Sequence, residues 1–271
     1  MVELFSKDEY TNARQSSKGN QLKWENNNIW YKADYAGYEG LAEYMVSHLL
    51  SLSSLDKNEF VLYDLESISY NDNSYRGCRS NGFLKEGETL ITLERLFKEK
   101  YGKSLYQSVF KIQGVDKRIE FVVNSVVNIT NLTDFKDYFS KIITIDALFL
   151  NEDRHMHNIA VIRKSNGRYK LCPIFDNGAC LMSDITFDYP LSKDTFKLID
   201  KVKSKTVAID FNEQLEECEK LFGNNVKFSW NRNDIVKLLN NADIYPDEIK
   251  NRVYDVLIEQ KRKYSYLFTG K

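Results

Sequence analysis

The stretch Asn151-Glu152-Asp153-Arg154-His155-Met156-His157-Asn158 gathers acid, amide and imidazole groups, and another acid, Asp176, closes Pro173-Ile174-Phe175-Asp176. Carboxylate and amide oxygens suit a hard divalent cation such as Mg²⁺. A carboxylate on a turn, as Asp153 would be, can orient an attacking hydroxyl or take its proton. Phosphoryl transfer asks little more of a protein: a positioned nucleophile, a metal held by hard oxygens and a cation on the phosphates. Asp153, Asn158 and Asp176 supply the first two. Asp and Asn near turns are more often plain turn chemistry, so the weight falls on the three occurring together. The H-x-H pair His155 and His157 has no further ligands beside it and is a weak zinc signal. His155 is expected to hold the loop through a backbone hydrogen bond.

A hairpin must bring these groups together. Ile159 to Ile162 is a continuous apolar run, Tyr169 to Phe175 is rich in strand formers, and Asn166-Gly167 between them is a strong hairpin signal for a type I′ turn. That turn predicts Ser165 opposite Arg168, Ile159 opposite Ile174, Asn158 opposite Phe175 and Asp176 opposite His157. Asn158 and Asp176 then meet at the open end of one hairpin. Strict alternation sends them to opposite faces, so a bulge or frayed end is expected to turn one of them.

The flanking elements follow from periodicity. Gln21-Leu22-Lys23-Trp24 and Ile29-Trp30-Tyr31-Lys32 read as strands, joined by a Glu25-Asn26-Asn27-Asn28 turn of good left-handed formers. From Glu39, Leu41, Tyr44, Met45, Leu49 and Leu52 recur at helical spacing. Phe60-Val61-Leu62-Tyr63 reads as a further strand, and Tyr75 to Phe83 as another. Thr133 can cap a helix carrying Phe135, Phe139, Ile142, Ile143 and Leu148, ending near Asn151. Helices follow from Phe228, one of them running from Pro246 to about Tyr266. The pattern is α+β in two lobes, a small β-rich lobe over 1–85 and a larger helical lobe over 86–271.

At the chemistry-bearing residues the sequence resembles a known family. D-R-H-x-x-N, then a hairpin, then P-x-F-D is similar to the catalytic and metal-binding loops of the HipA-like serine/threonine kinases, and also to the related core of phosphoinositide lipid kinases. The short form resembles the compact CtkA-like branch. Ser16-Ser17-Lys18-Gly19-Asn20-Gln21-Leu22-Lys23 resembles that family's S-x-x-G-x-Q-x-K phosphate loop. The likeness runs from Ser16 to about Leu181, and the rest carries only a helical pattern.

The resemblance implies a two-lobed, HipA-type protein-kinase-like fold with ATP in the cleft between the lobes. Asp153 would be the catalytic aspartate, supported by His155, and Asn158 and Asp176 would hold Mg²⁺. Ser16, Ser17, Gly19, Gln21, Lys23 and Lys32 would surround the phosphates, with Gly19 letting backbone amides approach them. Lys32 should pair with a helix glutamate, and Glu39 and Glu43 share one helical face. The implied function is ATP- and Mg²⁺-dependent phosphorylation of a protein Ser or Thr, toxin-like and autophosphorylating at Ser16 or Ser17, with a cognate antitoxin as a partner. Two readings stand beside it, a phosphoinositide-type lipid kinase and a catalytically weak kinase-fold module such as an antitoxin. Asp184, Asp188 and Asp194 around the lone Lys193 weigh against the lipid surface, and the intact set of four against the module. Departures are the single glycine of the loop and Asn177-Gly178-Ala179-Cys180 in place of D-F-G.

Composition sets the outer limits. The 271 residues carry a net charge of −1, with 42% hydrophobic and 28% charged residues, the mix of an ordered globular protein. No basic arm for nucleic acid, no secretory leader and no apolar run of membrane-spanning length is present. The expectation is a cytoplasmic protein whose four cysteines are buried free thiols.

Overall fold

The computed structural model describes residues 1–5, 8 and 21–269. In chain order the strands are β1 (Val2–Glu3), β2 (Lys23–Asn26), β3 (Ile29–Ala33), β4 (Asp64–Tyr70), β5 (Asn73–Asn81), β6 (Thr89–Thr92), β7 (Ala160–Arg163) and β8 (Tyr169–Leu171). The helices are α1 (Glu39–Leu50), α2 (Leu93–Tyr101), α3 (Leu105–Phe110), α4 (Val115–Thr130), α5 (Phe135–Phe149), α6 (Thr195–Ile199), α7 (Phe211–Phe222), α8 (Arg232–Asn240) and α9 (Asp247–Lys263).

These elements form two units: 1–82 with 176–202 and 228–271, and 83–175 with 203–227. This packing division differs from the consecutive segments 1–85 and 86–271 expected from the sequence, because α6, α8 and α9 pack in the first unit.

The first unit is built on a five-stranded sheet in the order β1-β4-β5-β3-β2. Two tight turns shape it. Asn27 and Asn28, and Asn71 and Asp72, all have positive φ and link directly paired residues, the type I′ signature that matches strand twist. One sheet face buries Leu4, Trp24, Tyr31, Ala33, Ile68 and Tyr70, with the Trp24 and Tyr70 rings edge-to-face at 5.1 Å. Helix α1 crosses close to β5, because Gly40 and Gly77 meet backbone to backbone. A Cβ on Gly40 would sit 2.6 Å from the Gly77 carbonyl carbon. The Phe60–Tyr63 run is not a strand. Phe60, Val61 and Tyr63 are buried as a connection without a ladder, and the strand begins at Asp64.

The second unit packs α2 to α5 and α7 with the sheet β6-β7-β8. Twelve of the fifteen residues of α5 are buried, including Asp146 and Thr144. Its N-cap is Asp134 rather than Thr133. The β7–β8 register also differs by one residue from the expected one. Val161 faces Leu171 and Arg163 faces Tyr169. Gly167 N donates to Lys164 O at 2.9 Å, Lys164 N to Arg168 O at 2.8 Å, and Gly167 alone of the turn has positive φ. The loop is therefore the three-residue kind closed by a left-handed glycine. The expected pairs Asn158–Phe175 and Asp176–His157 depended on the other register and do not follow from this one.

Candidate active site

In the first unit the site grows from β3. Lys32 lies opposite Lys23 on β2 and Cys78 on β5, so the three side chains share one sheet face. The close approach of α1 over Gly77 brings Glu43 onto that face. Lys32 Nζ donates to Glu43 Oε1 at 2.6 Å and to Asp176 Oδ1 at 2.9 Å, and lies 5.1 Å from the Tyr63 ring centre. Burial alone would push the ammonium down, but the carboxylates of Asp176 and Glu43 outweigh it and hold Lys32 well above its ordinary value. It therefore stays charged. Glu43 Oε2 accepts from the Asn177 backbone N–H at 2.8 Å. Asp176 adopts φ +63°, a left-handed backbone that Asp and Asn tolerate better than most residues.

Glu39 does not reach Lys32. Its carboxylate accepts from the backbone N–H groups of Tyr35, Ala36 and Gly37, in the turn ahead of α1. Asp34 works beside it, accepting from Gly40 N at 2.6 Å and from the Tyr245 hydroxyl at 2.8 Å. Burial, reinforced by the Glu39 charge, raises the Asp34 carboxyl to about 7. Gln21 precedes β2, while Ser16, Ser17 and Gly19 lie outside the described residues.

The chain after Asp176 is pinned. Tyr38 Oη donates to Leu181 O, Ser183 Oγ to Gly178 O, and Gly37 bridges Asp184. The buried Arg252 donates to the carbonyls of Tyr189, Pro190, Leu191 and Lys193 at 3.0–3.3 Å.

In the second unit α5 stops at Leu150, whose φ of +56° turns the chain into a self-bonded loop. His155 N donates to Asp153 O, Asn158 N to His155 O, and Asn158 Nδ2 to Asp153 O at 3.0 Å. His155 thus holds the loop through its main chain, with its ring Nε2 4.0 Å from Asp153 Oδ2. Arg154 lies beneath, 1% exposed. Its Nε donates to both Asp146 oxygens at 3.1 Å, and its terminal nitrogen to Asn158 O and Phe175 O. Burial raises the Asp146 carboxyl to about 6, and Arg154 limits the rise. Lys205 reaches the same loop, its Nζ 3.1 Å from Asp153 Oδ1.

The structure thus gathers Lys32, Glu43 and Asp176 in one unit, and Asp153, His155 and Asn158 in the other. Arg154, Asp146 and Lys205 were not read as functional. A lone Asp in the apolar run Ile143–Phe149 was a usable signal for Asp146, whereas Lys205 stands in an ordinary polar stretch.

A solved structure of similar fold covers nearly all of the chain. The protein superposes on the crystal structure of a Helicobacter pylori proinflammatory kinase, CtkA, with a TM-score of 0.60 and 17% identity, covering 98% of this chain and 95% of that one. The chain has a CtkA-like kinase fold. The HipA toxin of Shewanella oneidensis MR-1, solved with HipB and operator DNA, is a more distant likeness: TM-score 0.41, 11% identity, 95% of this chain and 58% of that one. No family model and no curated protein matches the chain. The CtkA-like fold agrees with the α+β, HipA-like kinase architecture expected from the sequence. Among the described residues no helix is long and apolar enough to cross a membrane, and all four cysteines are buried and free.

Proposed function

We propose that this chain is an ATP- and Mg²⁺-dependent kinase that transfers the γ-phosphoryl group to a Ser or Thr hydroxyl of a protein. The observation that carries the reading is the buried Lys32, held charged between Glu43 and Asp176 on a kinase fold. Burying an ammonium with two carboxylates is costly for stability alone, and a fixed cation on ATP phosphates gives the arrangement a purpose. Lys32 would meet the α- and β-phosphates and Glu43 would fix its position.

The residues fit Mg²⁺. Asp176 engages Lys32 through Oδ1 and would offer a charged, hard carboxylate oxygen to the cation. Asn158, whose Nδ2 donates to Asp153 O, would add a neutral amide oxygen through Oδ1. Mg²⁺ is commonly held by one or two protein oxygens together with substrate phosphates and water. When bound it would neutralise charge on the β- and γ-phosphate oxygens. Asp153 would orient the substrate hydroxyl and accept its proton. Ser16, outside the described residues, remains the proposed autophosphorylation site, to be read by phosphosite mapping.

Asp176→Asn tests the assignment. It keeps the side-chain shape, and Asn accepts the left-handed backbone. Phosphoryl transfer to the chain itself or to a protein acceptor should fall at least about 100-fold, with the melting temperature nearly unchanged. Transfer near the wild-type rate would remove Asp176 from the reaction.

A further inference from the structure

Asp153 has a cationic neighbour from a distant part of the chain. Lys205 Nζ stands 3.1 Å from Asp153 Oδ1, although its side chain is 48% exposed. The residues on either side of it are tightly held. Ser204 is 3% exposed, its N–H donates to Ile209 O, and its hydroxyl donates to Gln214 Oε1 at 2.9 Å. Thr206 is fully buried, and its hydroxyl donates to Arg154 O at 2.7 Å. Burial alternates across Ser204, Lys205 and Thr206, so the lysine stem springs outward from a point tied to the Asp153 loop itself.

An exposed ion pair adds little to stability, so the pair alone gives that tethering little to do. A lysine ammonium is a compact charge with three donors on a flexible stem. One donor engages Asp153, and Lys205 has no other hydrogen-bond partner among the described residues.

We infer that Lys205 is a further catalytic residue, which places its ammonium on the γ-phosphoryl oxygens as they move to the hydroxyl that Asp153 orients. The inference rests on the kinase reading above. In the step, the substrate hydroxyl oxygen forms a bond to the γ-phosphorus and the bond from that phosphorus to the bridging β,γ-oxygen breaks. The electron pair leaves with ADP, and the hydroxyl proton passes to Asp153. Lys205 keeps its own proton throughout. As Asp153 becomes neutral its hold on the ammonium weakens, while the negative charge to be met moves to the phosphoryl oxygens. A cation aimed at developing charge acts on the transition state more than on bound ATP.

The test compares wild type with Lys205→Met and Lys205→Arg. The readouts are kcat and KM for MgATP, and affinity for MgADP with and without aluminium fluoride, a mimic of the γ-phosphoryl group in flight. Lys205→Met should lower kcat by about 100-fold. It should also abolish the tighter binding that fluoride confers and leave MgADP affinity within about twofold. Lys205→Arg should restore part of both, since it keeps the charge. A wild-type chain that transfers phosphate while Lys205→Met keeps pace overturns the inference alone. Equal loss of affinity for MgADP with and without fluoride also overturns it, leaving Lys205 as a brace for the loop. A wild-type chain that transfers no phosphate overturns the kinase reading and this inference with it. Lys205 is half-exposed, so both variants should melt close to wild type.

Discussion

Lys32 and Glu43 form an ion pair 2.6 Å long, their side chains 12% and 1% exposed, with α1 held against β5, the neighbour of β3, by the contact of Gly40 with Gly77. An ion pair removed from water behaves differently from one on the surface. Each partner depends on the other to remain charged, and loss of either leaves a charge without compensation.

Lys32→Met should therefore destabilise the protein. The structure places Glu43, 1% exposed, where an unpaired carboxylate is expensive. Denaturant unfolding should show a loss of about 3 kcal/mol. Adding Glu43→Gln should recover most of it, because the glutamine can still accept from Asn177 N–H. Phosphoryl transfer should stay lost in both. A single variant as stable as wild type would contradict the burial of this pair.

Arg154→Met should be among the more damaging single changes in the second unit. It strands Asp146, which is fully buried, and frees the carbonyls of Asn158 and Phe175. A loss of about 3–5 kcal/mol is expected, checked by urea unfolding. Arg154→Met combined with Asp146→Leu should be more stable than Arg154→Met alone and still inactive, because the Asp153 loop remains unanchored.

Asp34 gives a pH dependence with a definite sign. Its folded-state value, about 7, lies above the ordinary 3.8, so the folded protein holds this proton more tightly than the unfolded chain. The stabilisation from Asp34 is complete below pH 3.8 and is lost as pH rises through about 7. An Asp34→Asn variant has no such proton to lose. Relative to wild type it should gain stability between about pH 4 and pH 7, measured as paired urea midpoints across that range. A difference that is flat with pH, or falls, would show that Asp34 is not the group responsible.

Legibility from sequence divides along physical lines. The β2–β3 hairpin, α1 and α5 were readable because each shows its own periodicity, and Asn27-Asn28 carries the turn. Pairing of Lys32 with a glutamate of α1 was readable too, but not the choice between Glu39 and Glu43. That choice rests on the backbone N–H groups of residues 35–37, which occupy Glu39 one turn earlier. Asn166-Gly167 fits both a two-residue and a three-residue loop, and the two differ by one step of register. The partners of α8 and α9 were invisible because an apolar face declares that it will be covered, not by what. Lys205 left no trace, since its role depends on a contact 52 positions away.

The first unit draws on three separate stretches of chain, and the Lys32–Asp176 contact closes over 144 positions. During synthesis this has an order. The residues of the second unit up to Phe175 leave the ribosome before Asp176 exists to meet Lys32, and α9, whose Arg252 pins the segment after it, comes later still. Domains tend to fold as units once complete, so a growing chain would hold Lys32 with Glu43 but without Asp176 until the chain has passed residue 176. The Lys32–Asp176 contact therefore forms only after the intervening second-unit residues have been made.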